Sequence, residues 1–255
     1  MTQEEMNILV PAKLREIEER YQVTVLYAAE SGSRAWGFAS PDSDFDVRFI
    51  YKRPQTAYLR LDPVRDVIEL PVDDTWDVTG WDLDKTLKLL YKSNPSLYEW
   101  LASPICYCRT GFEERLRPLM QRCFSEKAML YHYLSMAHNN IRDYLRGETV
   151  RPKKYMYALR PLLACRWILD RHSAPPVPFS ALVDAVLPAE LKSAVDGLIA
   201  LKINGPEALE IPHIAALDAY IEQSDSALPA LAAQCEEKKR SWQPLNDFFL
   251  TETAD

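Results

Sequence analysis

Glycine is scarce in this chain, with seven residues in 255. Two of them, Gly32 and Gly37, fall in one short stretch, which predicts a loop whose backbone needs them. Long apolar runs are missing too. No segment approaches the about 18 consecutive apolar residues of a membrane-spanning helix, and the N-terminal MTQEEMNILV lacks the basic start of a secretory signal. Both absences point to the cytoplasm and to no membrane partner. Basic charge is in deficit: 30 Lys and Arg stand against 37 Asp and Glu, for a net charge of −7. That argues against bulk electrostatic attraction to nucleic acid, though not against a local basic groove. Cysteines Cys106, Cys108, Cys123, Cys165 and Cys235 are odd in number and irregularly spaced, the pattern of reduced thiols. Cys106 and Cys108 lack a matching second pair, so no zinc site follows. Internal repeats and low-complexity tracts are also absent.

What is present is an ordinary globular composition, 47% hydrophobic and 26% charged, in a length that suits one large domain or two small ones. Two are expected. The chain is organised around residues 30–51, ESGSRAWGFASPDSDFDVRFIY. The apolar, β-branched run at 22–29 and the alternating run that begins at Asp44 predict two strands of a hairpin. In the second strand Asp44, Asp46 and Arg48 share one face, while Phe45, Val47, Phe49 and Tyr51 share the core face; Ile50 breaks the alternation.

Residues two apart on a strand face lie about 6.5 to 7 Å apart. Two carboxylates at that spacing can converge on a pair of divalent ions about 3.5 to 4 Å apart, the arrangement used when an oxygen displaces pyrophosphate in line. Mg²⁺ is the ion of choice, because it binds few carboxylates and keeps positions for phosphate and water. Gly32 and Ser33 offer a bare backbone and a hydroxyl to the phosphates of a nucleoside triphosphate. Arg34 reads equally as a phosphate contact and as a solvated loop side chain. Trp36 and Phe38 read as base-stacking residues or, more simply, as packing beneath the sheet.

The spacing of Gly32, Ser33, Gly37, Ser43, Asp44 and Asp46 resembles the Gly-Ser, then Ser-Asp-x-Asp signature of the DNA polymerase β nucleotidyltransferase superfamily. GSRAWGFASPDSDFDVRFIY, GWDLDKTLKLLYKSNPSLYEWLASPICY at 80–107 and KKYMYALRPLLA at 153–164 further resemble the RlaP family, the YcgL-type nucleotidyltransferases associated with RNA repair. The resemblance covers residues 25–175 or so. It implies an α+β fold, with a polymerase β-type catalytic domain at 1–115 (a small mixed sheet with flanking helices) and a C-terminal helical bundle domain at 116–255. The active cleft is then expected between the two.

The resemblance also implies a third carboxylate on the strand beside Asp44 and Asp46, to hold the metal and orient the attacking hydroxyl. Trp76–Thr79 reads as that strand, so Asp77 is the first choice. Asp82 is the second, and is better explained as the N-cap of a helix at 83–91; Asp74 reads as a turn residue. Short elements are expected at 67–70 (a strand), 96–102 (a helix) and 104–108 (extended). Upstream, residues 4–21 carry helical signals, with Pro11 placed to open the turn of AKLREIEERY.

Beyond residue 125 the reading is helical. Ser125 caps a helix to about 146, ended by Gly147; His132 and His138, six apart on it, share no metal-binding face. Pro152 opens a second helix to Arg171, with Pro161 inside it. That helix is the most basic patch, with Lys153, Lys154, Arg160, Arg166 and Arg171, and is read either as a triphosphate or RNA contact or as a solvated face. Lys153, Lys154, Tyr157 and Arg160 coincide with the family motif. Two more helices are expected at 180–202 and 208–240.

The resemblance thus implies transfer of a nucleoside monophosphate from an NTP to a hydroxyl with release of pyrophosphate. Asp44, Asp46 and Asp77 would hold two Mg²⁺ ions, while Gly32, Ser33, Arg34, Ser43, Arg48, Lys153, Lys154, Tyr157 and Arg160 would meet the nucleotide. An RNA end, such as a tRNA end, is the leading acceptor. A protein or small-molecule acceptor, and an inactive nucleotide sensor or partner-binding protein, are the alternatives.

Overall fold

The structure, a computed structural model, describes residues 2–71, 75–206 and 208–254. In chain order its elements are α1 (Gln3–Tyr21), β1 (Thr24–Glu30), α2 (Gly32–Trp36), β2 (Phe45–Lys52), α3 (Gln55–Tyr58), β3 (Val67–Glu69), β4 (Trp76–Asp82), α4 (Leu83–Tyr91), α5 (Pro95–Leu101), β5 (Cys106–Arg109) and α6 (Phe112–Cys123). There follow α7 (Glu126–Tyr144), β6 (Thr149–Val150), α8 (Pro152–Arg171), α9 (Phe179–Val186), α10 (Ala189–Asn204), β7 (Ile211–Pro212), α11 (Ala215–Gln234) and α12 (Gln243–Thr253). These form two compact units. One holds the chain up to Ala35, Asp44–Phe124 and the chain from Lys239 onward; the other holds Trp36–Ser43 and Ser125–Lys238.

The first unit is built on a five-stranded mixed sheet in the order β3-β4-β2-β1-β5. Only β2 and β4 run parallel; the other neighbours are antiparallel. The fold is α+β, as the sequence predicts. The β2 alternation works as read: Phe45, Val47, Phe49 and Tyr51 are buried in one core with Met6, Val10, Leu14 and Ile17 of α1. Those helical residues recur every three or four positions and so form one apolar stripe. Ile50 is buried as well, which leaves the end of β2 covered on both faces.

Two expectations about this unit need correction. Pro11 does not open α1 but lies inside it. The helix begins earlier, at a capping box in which the Thr2 hydroxyl accepts from the Glu5 N–H (3.2 Å) and the Glu5 carboxylate accepts from the Thr2 N–H (2.7 Å). Nor do the last residues simply extend the helical bundle. In α12 the Glu252 carboxylate accepts two bonds from Arg115, at 2.6 and 2.8 Å, and its carbonyl accepts from Lys52 Nζ at 2.6 Å. The Phe249 ring meets Tyr58 edge-on at 4.9 Å. The tail is thereby fastened to β2, α3 and α6.

The second unit centres on α8, most of whose residues are buried. Ser125 caps α7 and Pro152 opens α8, as read from the sequence. The helix expected at 180–202 is two helices, because Pro188 holds Leu187 extended (ψ 135°) between α9 and α10. Among the described residues no helix is long and apolar enough to cross a membrane.

Candidate active site

The β1–β2 hairpin does not close with a simple turn. After Glu30 the chain passes Gly32 at φ +58° and enters the short α2. A side chain is excluded at Gly32 on two grounds: its left-handed backbone, and a Cβ that would stand 1.9 Å from Asp46 Oδ2. The glycine that the sequence marks as a phosphate cradle is thus packed directly on a candidate metal carboxylate. Ser31 N–H donates to the Asp46 carbonyl at 2.8 Å, and Ser33 follows half-buried in α2.

Asp46 and Asp77 are register partners on the adjacent parallel strands β2 and β4. Between them lies Arg48, two residues beyond Asp46 on the same face. Its Nη2 donates to Asp46 Oδ1 at 2.9 Å and to Asp77 Oδ2 at 2.8 Å, and its Nη1 donates to the Asp77 carbonyl at 2.9 Å. The side chains are 16% (Arg48), 29% (Asp46) and 33% (Asp77) exposed, so the cluster opens to solvent at one side. Burial raises the Asp46 pKa above the ordinary carboxylate value; Arg48 opposes that, and the neighbouring Asp77 and Asp44 add to it.

Asp44 is exposed just ahead of β2. Arg34 holds this segment, its Nε donating to the Asp44 carbonyl at 3.1 Å and its guanidinium lying 3.6 Å from the Phe45 ring centre. Among the described residues no group of three His, Cys, Asp or Glu side chains is set to hold a metal ion. Asp82 sits at the other end of the same strand pair, opposite Tyr51. There it caps α4 through the Asp84 N–H and accepts from Arg53 and Tyr58. Asp74 lies outside the described residues.

The remaining candidates belong to the second unit. Ser43 closes a turn on Ser40, accepting from its N–H at 3.0 Å, and the buried Lys202 donates to the Ser40 hydroxyl at 2.9 Å. Trp36 meets the Tyr157 ring edge-on, and Phe38 meets Phe179. Arg160 is 2% exposed, its guanidinium 4.5 Å from the Trp36 ring centre and donating to the Val177 carbonyl at 3.3 Å. Lys153 is half-buried, and Lys154 Nζ lies 3.4 Å from the Tyr144 ring centre.

Sequence reading passed over one group at the site. Glu30, 0% exposed, ends β1; Oε1 accepts from the Asp46 N–H at 2.7 Å and Oε2 from the Tyr107 hydroxyl at 2.5 Å. Burial pushes its pKa from the ordinary 4.5 up to about 7. The available signal was an acidic residue closing the apolar run VTVLYAAE immediately before Gly32.

The sequence matches a described family. The model for the RNA repair pathway DNA polymerase β family, RlaP, matches residues 6–251. The chain belongs to the RlaP family. Its family and mixed sheet are those of a polymerase β-type nucleotidyltransferase. The chain is also 43% identical over 241 residues to the uncharacterized protein YcgL of Bacillus subtilis (strain 168), covering 93% of each. A solved nucleotidyltransferase-like protein from Exiguobacterium sibiricum 255-15 aligns over 86% of this chain and 73% of its own, at 13% identity and a TM-score of 0.32. For an RlaP member the donor set fits a hard divalent cation. Asp46 and Asp77 present carboxylate oxygens side by side, each with one oxygen not bonded to Arg48, and Gly32 keeps a Cβ away from Asp46 Oδ2.

Proposed function

We propose that this RlaP member is a Mg²⁺-dependent nucleotidyltransferase that moves a nucleoside monophosphate from an NTP to a hydroxyl, with an RNA end as acceptor and pyrophosphate as the second product. The observation that carries the reading is the register pairing of Asp46 with Asp77, packed against a glycine that tolerates no side chain. Two carboxylates on adjacent strands are what an in-line displacement at phosphorus needs in order to orient the attacking oxygen. Asp46 and Asp77 would hold the divalent ions, joined by Asp44 from the entrance of β2; ions held there would supply positive charge against that developing on the phosphates.

Each remaining residue has a role in this scheme. Gly32 and Ser33 present backbone and hydroxyl to the β and γ phosphates, with Arg34 following them in α2. Arg48 keeps the two carboxylates together and supplies positive charge to the phosphates. In the second unit, Lys153 and Lys154 are the candidates to meet triphosphate or RNA backbone, with Tyr157 beside them; the burial of Arg160 suits it to holding Trp36. The division of labour is chemistry in the first unit and acceptor binding in the helices of the second. The words "RNA repair pathway" in the family's description support the RNA acceptor, and the cytoplasm is the compartment that supplies it.

The net charge of −7 favours a second reading, in which a protein or a small molecule is the acceptor. One experiment separates the two. The protein is incubated with each α-labelled NTP, Mg²⁺ and total cellular RNA, beside a D44N/D46N variant. Label in RNA that disappears in the variant supports the RNA reading; label on protein or a small molecule supports the second; NTP binding without transfer points instead to an inactive sensor.

A further inference from the structure

The ladder between β1 and β2 pairs Glu30 with Val47, so the next rung pairs Ser31 with Asp46. Such a rung ordinarily carries two bonds. One is present, from Ser31 N–H to the Asp46 carbonyl. The chain then turns into α2, where the Ser31 carbonyl accepts from Ala35 N–H at 3.4 Å. The Asp46 N–H donates instead to Glu30 Oε1 at 2.7 Å. A side-chain carboxylate thus stands in for a backbone carbonyl at the residue whose own carboxylate is central to the site.

That substitution is costly, since Glu30 is fully buried. It is also specified in detail. Tyr107 on β5 donates its hydroxyl to Glu30 Oε2 and itself accepts from Gln3 Nε2 at 3.2 Å. The Ser103 hydroxyl, meanwhile, donates to the Glu30 carbonyl at 2.6 Å. Both carboxylate oxygens and the main chain of Glu30 are therefore fixed by separate partners.

We infer that Glu30 is a positioning residue for Asp46: clamped by Tyr107, it fixes the Asp46 main chain without engaging either Asp46 side-chain oxygen. The inference rests on the metal-dependent reading above. Tightening the group behind a ligand in this way ordinarily changes metal affinity by about tenfold or more. Glutamine at position 30 keeps an acceptor for the Asp46 N–H, leucine keeps none, and Y107F removes only the clamp.

The test is Mn²⁺ binding to the full chain, followed by electron paramagnetic resonance with and without a non-hydrolysable NTP, beside thermal melting. E30Q should bind Mn²⁺ within about threefold of the parent, E30L about tenfold or more weakly, and Y107F about threefold more weakly. A Glu30 that merely stabilises the fold would lower the E30L melting temperature and leave Mn²⁺ affinity unchanged well below it; that result overturns the inference alone. Should E30L not fold, Y107F decides: weakened binding supports the inference and unchanged binding overturns it. No Mn²⁺ binding by the parent, with or without nucleotide, overturns both the metal-dependent reading and this inference.

Discussion

Asp46 and Asp77 stand opposite each other on adjacent parallel strands, with one guanidinium, that of Arg48, bonded to both. The two carboxylates can approach because a cation lies between them, and β2 and β4 bring them there with no loop involved. A site carried on strands of a packed sheet is held more rigidly than one carried on loops.

Gly32 gives the sharpest steric test. G32A forces a methyl group into the Asp46 carboxylate and requires a left-handed backbone of a residue that resists it. It should cost about 1 to 3 kcal/mol of stability and lower transfer by about 100-fold at temperatures where the variant is folded. Denaturant titration and labelled-NTP turnover measure the two effects separately.

Glu30 predicts a pH dependence of stability. Its folded pKa of about 7 lies above the ordinary 4.5, so the folded chain holds this proton more tightly than the unfolded one. The stability this contributes is fully present below about pH 4.5 and is lost as pH rises through 7, a change of about 3 kcal/mol in all. Urea titrations in EDTA should show the parent losing stability relative to E30Q between about pH 4.5 and 7, whereas E30Q, uncharged throughout, lacks this component.

Arg115 and Glu252 predict that the C-terminal helix supports the first unit. R115A leaves the Glu252 carboxylate, 8% exposed, without its two-point partner. Since Arg115 is itself half-exposed, the loss should be about 1 to 2 kcal/mol. A chain ending at residue 238 should melt earlier still, which differential scanning calorimetry reads directly.

Arg160 and Lys153 separate architecture from contact on α8. R160M removes a buried cation from the Trp36 face and should cost about 2 kcal/mol while altering tryptophan fluorescence. K153A, at a half-buried position, should cost less stability than R160M. If Lys153 meets RNA, K153A weakens RNA binding at temperatures where the variant is fully folded.

Much of this was legible because local rules settle it. The β2 alternation, the Asp82 and Ser125 caps and the proline opening of α8 each depend on a few neighbouring residues. The same alternation put Asp46 and Arg48 on one face, whereas the expectation that the strand at 76–79 brings Asp77 beside them came from the family resemblance. What stayed hidden depends on distant partners. α1 keeps Pro11 inside because Val10 and Leu14 on either side of it are buried in the sheet's core, and α12 returns to Arg115 from 137 residues away. Glu30 was invisible for the same reason. Its importance comes from Tyr107 on another strand and from a Ser31 carbonyl diverted into α2, neither of which any periodicity reports.

The measurement that bears most directly on the central claim compares D77N with D82N in Mg²⁺-dependent transfer from an α-labelled NTP, both checked for folding by circular dichroism. With Asp77 beside Asp46 and Asp82 committed to capping α4, D77N should lose transfer by about 1,000-fold or more, and D82N should retain it wherever it is folded. Transfer that survives D77N, or that disappears in a folded D82N, would contradict the account.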